Sequence, residues 1–443
     1  MGNSPTDATA SSVSPSAKAK KSPSRREFVK RSALIAGGIS AANLTIAKMA
    51  HAAGDEVIRF GLIGCGGRGV GAAENALNAD PNNHLVALAD LFPDQVTIAR
   101  ERFAKRDPMR ATVAEDHCFS GFEAYKRLID FVDIDVVLMA TPPHFRPMQY
   151  EYAVNAGKHC FVEKPVAIDA PGIRRVAAAN KIAQQKGLTV VSGLCWRYDL
   201  GVRETMKRVQ DGAIGDVIAV QENYNAGFLW HKARKPEWTD VEYQIRNWLY
   251  YTWLSGDHNV EQHIHSLDKA SWIMGDKPPV RATGLGGRQV RTEAEFGNIF
   301  DHHAVVYEYE NGARVFAYCR QQDGTSMDTE DYFLGTKGQC RVLKHEIVAG
   351  DDKWRYRGPK PNMYDNEHKE LFAALRKGER IYNGDYMVTS TMLAIMGRMC
   401  TYTGRTLTWD EAINSKEDLS PAKYEFGPLE TPPVAKPGKT PFV

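Results

Sequence analysis

Glu261, His265 and Asp268 stand at positions i, i+4 and i+7 of a stretch, 256–275, that reads as an amphipathic helix ended by Gly275. On a helix that spacing puts all three side chains on one face. An imidazole titrates near neutral pH, and a neighbouring carboxylate can orient it, so such a set suits proton transfer with a substrate hydroxyl. Lys164 is a second candidate. It lies in Glu163-Lys164-Pro165, directly after the apolar run 159–162. An ammonium placed there stabilises a developing alkoxide and biases the movement of its proton.

A different chemistry is written at residues 57–69. An apolar strand over 57–63 runs into Gly64-Cys65-Gly66-Gly67-Arg68-Gly69. In G-x-G-x-x-G the first glycine permits a tight turn, the second lets the backbone approach a pyrophosphate, and the third lets the helix pack close to the sheet. The phosphates then rest on the helix N-terminus, whose free N–H groups and dipole favour anions. A second strand over 84–89 ends in Asp90, roughly 20 residues on, where a carboxylate accepts the adenosine ribose hydroxyls and repels a 2′-phosphate. NAD is therefore expected over NADP, which stays the alternative. A third strand over 136–140 ends in Thr141-Pro142-Pro143-His144. Ligands of an open parallel sheet bind beyond the carboxyl ends of its strands, so Thr141, His144 and Lys164 are expected to face the cofactor crevice.

These elements sit in a chain of 443 residues, long enough for two domains with extras. Lys and Arg number 56 against 54 Asp and Glu, so charge balance does not point to nucleic acid or an anionic membrane surface. The seven cysteines include no C-x-x-C pair, which argues against a disulfide framework or a zinc ribbon. Residues 1–53 read as a leader: a Ser/Lys/Pro-rich start, then Arg25-Arg26-Glu27-Phe28-Val29-Lys30, a mildly apolar stretch and Ala50-His51-Ala52. That order matches a twin-arginine export signal and predicts a periplasmic protein. No later segment is long and apolar enough to span a membrane.

The glycine turn, Ala140-Thr141-Pro142-Pro143-His144 and Glu163-Lys164-Pro165 together resemble the Gfo/Idh/MocA family of oxidoreductases, over most of the chain beyond the leader. The resemblance implies an α/β protein: an N-terminal Rossmann domain with a parallel sheet, then a C-terminal α/β domain whose open, mostly antiparallel sheet forms a substrate wall and an oligomer face. The expected division is 54–195 for the NAD-binding domain, 196–410 for the substrate and oligomerisation domain, and 411–443 for a Pro-rich tail. The expected assembly is a homo-oligomer, dimer or tetramer. Relatives use NAD(P) on sugars, polyols and cyclitols. The resemblance also places Lys164 near the nicotinamide and reacting hydroxyl, and His265 at the family's catalytic histidine. Glu261 stands where the family usually has Asp, so its carboxylate contacts a different substrate hydroxyl or only orients His265.

Moving a hydride from a carbinol carbon to nicotinamide requires removal of the hydroxyl proton, a task assigned to His265 with Lys164 as partner and Glu261 beside them. The expected cofactor contacts are Gly64, Gly66, Gly67, Arg68, Gly69, Asp90, Thr141, Pro142, His144, Glu163 and Lys164. Aromatic and polar residues expected along the cleft, Trp196, Arg197, Tyr198, Asn247 and Trp248, join His265 as substrate contacts suited to a carbohydrate ring. A rival reading makes His258, His263 and His265 with Asp257 or Glu261 a metal site. Two of those histidines would leave a helix on different faces and no H-E-x-x-H occurs, so no metal is expected. His302 and His303 sit in an alternating strand pattern and read as structural.

Three functions fit: an NAD(P)-dependent oxidoreductase of a sugar, glycoside or cyclitol; a glycoside hydrolase that oxidises, eliminates and reduces in a redox-neutral cycle; and a sugar or nucleotide binder without catalysis. Retention of Lys164 and His265 argues against the third. Export and dinucleotide binding together predict a tightly held cofactor that is regenerated in place.

Overall fold

In the computed structural model, which describes residues 56–443, alternating strands and helices of the first half build a six-stranded parallel sheet. The leader with its twin-arginine motif lies outside the described residues. Chain order is β1 (Ile58–Ile63), α1 (Gly67–Ala79), β2 (Asn83–Asp90), α2 (Pro93–Arg106), β3 (Cys118–Ser120), α3 (Ala124–Phe131), β4 (Val136–Met139), α4 (Arg146–Asn155), β5 (His159–Val162), α5 (Ala170–Gln185) and β6 (Val190–Ser192). All four residues of β4 and five of six in β1 are buried, as strands covered by helices on both faces must be. The strand order β3-β2-β1-β4-β5-β6 reverses direction between β1 and β4. A ligand crevice opens at that switch point, beyond the strands' carboxyl ends.

The second half continues as α6 (Leu200–Gln210), β7 (Val217–Ala226), α7 (Asp240–Arg246), α8 (Thr252–Ser255), α9 (His258–Glu261), α10 (Ile264–Ile273), β8 (Arg281–Gly287), β9 (His302–Glu308), β10 (Arg314–Gln321), β11 (Asp331–Gly335), β12 (Gln339–Arg341), β13 (Glu346–Ala349) and β14 (Asp352–Arg355). It closes with α11 (Met363–Arg376), α12 (Gly384–Thr403), β15 (Leu407–Thr408) and α13 (Trp409–Ile413). The nine strands β14-β13-β12-β11-β7-β10-β9-β8-β15 form one open sheet. Its pairs are antiparallel except β7 with β10. β9 and β10 are joined at Asn311-Gly312, where Gly312 takes φ +84°, a left-handed value that suits glycine. Burial alternates along both strands, so one face of the sheet is covered and the other open.

α10 and α12 cover that inner face, lying against β7, β8 and β9. α12 is buried along most of its length because it also packs on α5, and α11 returns to pack on α1. No helix among the described residues is long and apolar enough to cross a membrane. The chain after α13 has no regular secondary structure but is not loose: Tyr424 Oη bonds His144 Nε2 at 2.8 Å, and the Phe426 ring lies 6.1 Å from Phe92 and 5.4 Å from Phe122.

Burial lowers the pKa of His144, His159 and His258 to about 4 and that of His368 to about 3. In an unfolded chain these imidazoles titrate near the ordinary value of about 6.5. Between those values the unfolded state binds protons that the folded state refuses, so stability falls as pH falls. Thermal melts should show Tm dropping progressively from pH 7 to pH 4.5. A flat Tm across that range would contradict the buried, neutral state of these side chains.

Candidate functional site

The glycine turn after β1 shows why each glycine is needed. Gly64 adopts φ +95°, and a Cβ there would stand 2.6 Å from the Thr141 backbone nitrogen. At Gly69 a Cβ would lie 1.8 Å from the Gly64 carbonyl oxygen. Gly66 and Gly67 differ: a Cβ on either would meet nothing within 4 Å, so this side of the turn is open. α1 begins there without a side-chain cap, leaving its first N–H groups for an anion. Cys65 N–H and Phe92 N–H donate to the two carboxylate oxygens of Asp90, at 2.7 and 2.9 Å, which aims the carboxylate at the rim of the crevice. Burial raises the pKa of Asp90, and the backbone donors oppose that rise.

The crevice is a 410 Å³ cavity. One wall holds Gly64, Gly66, Gly67, Arg68, Asp90, Phe92, Thr141 and Pro142; the facing wall, from beyond β7, holds Trp230, Lys232, Arg246 and Trp248. Arg68 Nε lies 2.7 Å from Glu163, and its guanidinium sits over the Tyr364 ring at 4.6 Å. Open glycines, an uncapped helix start and a ribose-facing acid on one wall fit a dinucleotide.

Beyond β5, Lys164 Nζ donates to the Glu261 carboxylate at 2.7 Å and to the Glu261 main-chain carbonyl. Glu261 therefore orients Lys164, a role outside the two the sequence left open for it. The imidazole of His265 stands in the field of the Lys164 ammonium. Burial first, then the Lys164, Lys269 and Arg68 charges, hold its pKa well below the usual histidine value. It is neutral at neutral pH, and its Nδ1 is buried without a hydrogen-bond partner in the protein. A neutral imidazole with a free ring nitrogen beside an ammonium can take up a hydroxyl proton while the cation steadies the oxygen left behind.

These groups form part of a known architecture. Residues 58–193 match the oxidoreductase family with an NAD-binding Rossmann fold, and residues 202–341 match the GFO/IDH/MocA C-terminal domain. The chain belongs to the Gfo/Idh/MocA oxidoreductase family. It is 25% identical over 339 residues to the inositol 2-dehydrogenase of Rhizobium meliloti, covering 73% of this chain and 90% of that one. Glycosyl hydrolase family 109 protein 1 of Bacteroides fragilis is 28% identical over 300 residues, covering 67% of this chain and 60% of that longer protein. Among solved structures, aldose-aldose oxidoreductase from Caulobacter crescentus superposes with a TM-score of 0.62 at 21% identity, over 80% of this chain and all of the other.

Several residues expected in the cleft of this family member hold the fold instead. Asp268 does not share a face with Glu261 and His265 on one continuous helix. The helix breaks between α9 and α10, where His263 N–H reaches back to the His258 carbonyl (3.0 Å), and Asp268 is buried against Arg197 (2.8 Å) and Ser390 (2.8 Å). Arg197 is held by Asp268 and Asp276, and Tyr198 is buried with its hydroxyl on Asn383 (2.9 Å). Trp196 packs against the main core under the Lys269 ammonium. Asn247 is fully buried and bonds the backbone of Lys232. His144 turns away from the cavity into a cluster with Phe145, Trp253 and Tyr424, because the C-terminal tail covers it. Of the expected substrate contacts outside the acid/base group, Trp248 alone lines the cavity.

The rival metal set is divided: His263 bonds Asn259 and His265 lies by Lys164, while Asp257 and His258 gather with His303. His303 is thus not a plain strand residue. It bonds Asp257, whose carboxylate also accepts from Asn259 N–H, Phe300 N–H and the Tyr402 hydroxyl. Sequence reading passed over Lys232 on the facing wall, and it gave no role to Glu367, buried beside Arg68 and Glu163. Nothing in their local sequence marks them, since each arrives from a distant segment.

Gly69→Ala should destabilise the chain by about 2–3 kcal/mol through the clash with the Gly64 carbonyl. Gly66→Ala should fold normally and lose nucleotide affinity by about tenfold or more, because its methyl enters the open side of the turn. Melting curves and NAD+ titrations on both variants check the contrast.

Proposed function

We propose that this protein is an NAD-dependent oxidoreductase acting on a hydroxyl of a sugar, glycoside or cyclitol, with NADP as the alternative cofactor. The observation that carries the reading is that Lys164, paired with Glu261, stands just beyond β5 with a neutral His265 in the field of its charge. The bound nicotinamide would supply the hydride acceptor. His265 takes the hydroxyl proton as the carbon is oxidised and returns it when the reaction runs backward. Lys164 holds the oxygen between alcohol and carbonyl, and Glu261 keeps Lys164 from swinging into solvent. Relatives named as an inositol dehydrogenase and an aldose oxidoreductase support the substrate class.

A second reading is a redox-neutral glycoside cleavage, supported by the likeness to glycosyl hydrolase family 109 proteins. The same three residues serve its redox steps, which need a proton acceptor and a cation at the oxidised carbon; the carbonyl formed there acidifies the C–H of the neighbouring carbon, whose proton is lost as the aglycone leaves the carbon beyond it. Both readings fit a tightly held cofactor, and Arg25-Arg26 with its context supports export to the periplasm by the twin-arginine route with nucleotide already bound.

Incubation with a panel of sugars, cyclitols and aryl glycosides separates the two. Net nicotinamide reduction supports the first, and aglycone release without net reduction supports the second. His265→Ala and Lys164→Ala should each lower kcat by about 10²–10⁴ while leaving NAD+ affinity within a few-fold. Because the folded His265 stays neutral, kcat/KM should hold level as pH falls from 8 to below 6.5, and decline only in more acidic buffer. Absence of nucleotide from both native preparations and titrations would end the reading.

The open face of the large sheet supports homo-oligomeric assembly. Leu285 (78% exposed), Leu334 (40%) and Tyr318 (37%) stand on it with the partly buried Val306, Phe316 and Tyr332, a broad apolar surface. Sedimentation should give a dimer or tetramer, and Leu285→Glu combined with Tyr318→Glu should yield monomers that keep their Tm within a few degrees.

A further inference from the structure

We propose that Lys232, carried by the C-terminal domain, binds a phosphate of the adenosine half of the dinucleotide, so that the nucleotide is gripped from both domains. The inference rests on the dinucleotide reading of the crevice. The glycine turn and Asp90 account for one wall only; Lys232 lines the other, together with Trp230 and Trp248.

Residues 227–239, which carry Lys232, have no helix or strand to fix them. Asn247 fixes this point instead. Its carboxamide oxygen accepts Lys232 N–H at 2.8 Å, and its Nδ2 donates to the Lys232 carbonyl at 3.1 Å. Asn247 is itself fully buried and bonded to the Tyr243 carbonyl, so the start of the Lys232 side chain is held from the core. A backbone clamped this way presents its side chain in one direction. That is how a binding residue on an irregular segment is made reliable.

The charges give the ligand's chemistry. Arg246, the other cation of this wall, already has partners: Asp94 at 3.0 and 3.2 Å, Glu242 at 2.9 Å, and the Phe92 ring at 3.9 Å. Lys232 has no carboxylate partner among the described residues; its ammonium lies 5.4 Å from the Trp230 ring. Burial and then the Arg246 charge lower its pKa, and Asp94 and Asp90 oppose them. A clamped cation without an acidic partner, facing the acid that receives the ribose hydroxyls, is suited to a phosphate oxygen next to that ribose. In NAD the phosphate is the pyrophosphate. In NADP it is also the 2′-phosphate, whose repulsion by Asp90 the two cations would offset.

The test titrates NAD+, NADP+ and ADP-ribose into the full chain and its Lys232→Ala and Lys232→Arg variants after nucleotide exchange, following quenching of the cavity tryptophans. Lys232→Ala should weaken NAD+ and ADP-ribose by about tenfold or more, the scale of a lost charge-assisted hydrogen bond, and Lys232→Arg should restore most of it. Equal losses for NAD+ and NADP+ support the pyrophosphate; a larger loss for NADP+ supports the 2′-phosphate. Affinities unchanged within twofold would overturn the inference. So would a loss that Lys232→Arg does not restore and that comes with a lowered Tm of the nucleotide-free variant. If the unaltered protein binds none of the three, the functional reading fails and not this inference alone.

Discussion

The bond from Lys164 to Glu261 is the constraint on which the site depends. Lys164 stands two residues beyond the end of β5, in the nucleotide-binding half, whereas Glu261 ends α9 in the other half. The ammonium reaches both the carboxylate and the main-chain carbonyl of the same residue, so it reports the position of α9 as well as its side chain. Because both partners are mostly shielded from water, the pair holds one geometry more firmly than a surface ion pair would. His265 stands in the first turn of α10 just beyond, and burial first, then the Lys164 charge that pairs with Glu261, keeps its imidazole neutral.

A second device holds α9 from behind. Asp257 precedes it with φ +88° and ψ 158°, a conformation that is nearly confined to glycine and costs about 1–3 kcal/mol. What keeps it there is its buried carboxylate, which receives main-chain donors from Asn259 and Phe300 together with His303 and the Tyr402 hydroxyl. Burial opposes the charge on Asp257, but His303, His258 and these bonds outweigh it and hold its pKa well below the carboxylate range. The strain thus lies where the chain leaves the core to enter the site, and elements as distant as β9 and α12 contribute to holding it.

The cofactor crevice shows the same sharing between halves. Its glycine turn is local, written in six consecutive residues, yet its facing wall comes from residues after β7, and the outer side of Phe92 and Phe122 is packed by the C-terminal tail. Behind the turn, Glu163 and Glu367 converge on Arg68. Burial and the nearness of Glu163 push the pKa of Glu367 up, so the paired acids do not both carry charge freely beside a site meant for phosphate. A cleft assembled from so many segments encloses its ligand more fully than a Rossmann domain would alone.

By itself, the sequence determined whatever depends on neighbours in the chain. Apolar runs of strand length, the glycines of the turn, Asp90 at the end of β2 and the Asn311-Gly312 hairpin are all short-range patterns, because backbone sterics and strand burial act over a few residues. Lys164 and His265 were candidates for a related reason, since each sits in a short segment that resembles one of the family. Tertiary structure decided the rest. It broke the helix through Glu261, His265 and Asp268, sent Asp268 to Arg197, turned Glu261 toward Lys164, drew His144 beneath the tail, and brought Lys232 and Glu367 to a cleft far from them in sequence. Which partner a buried charge takes depends on what else lies within hydrogen-bond reach. That is a property of packing between distant segments and is not carried by the spacing of residues along one of them.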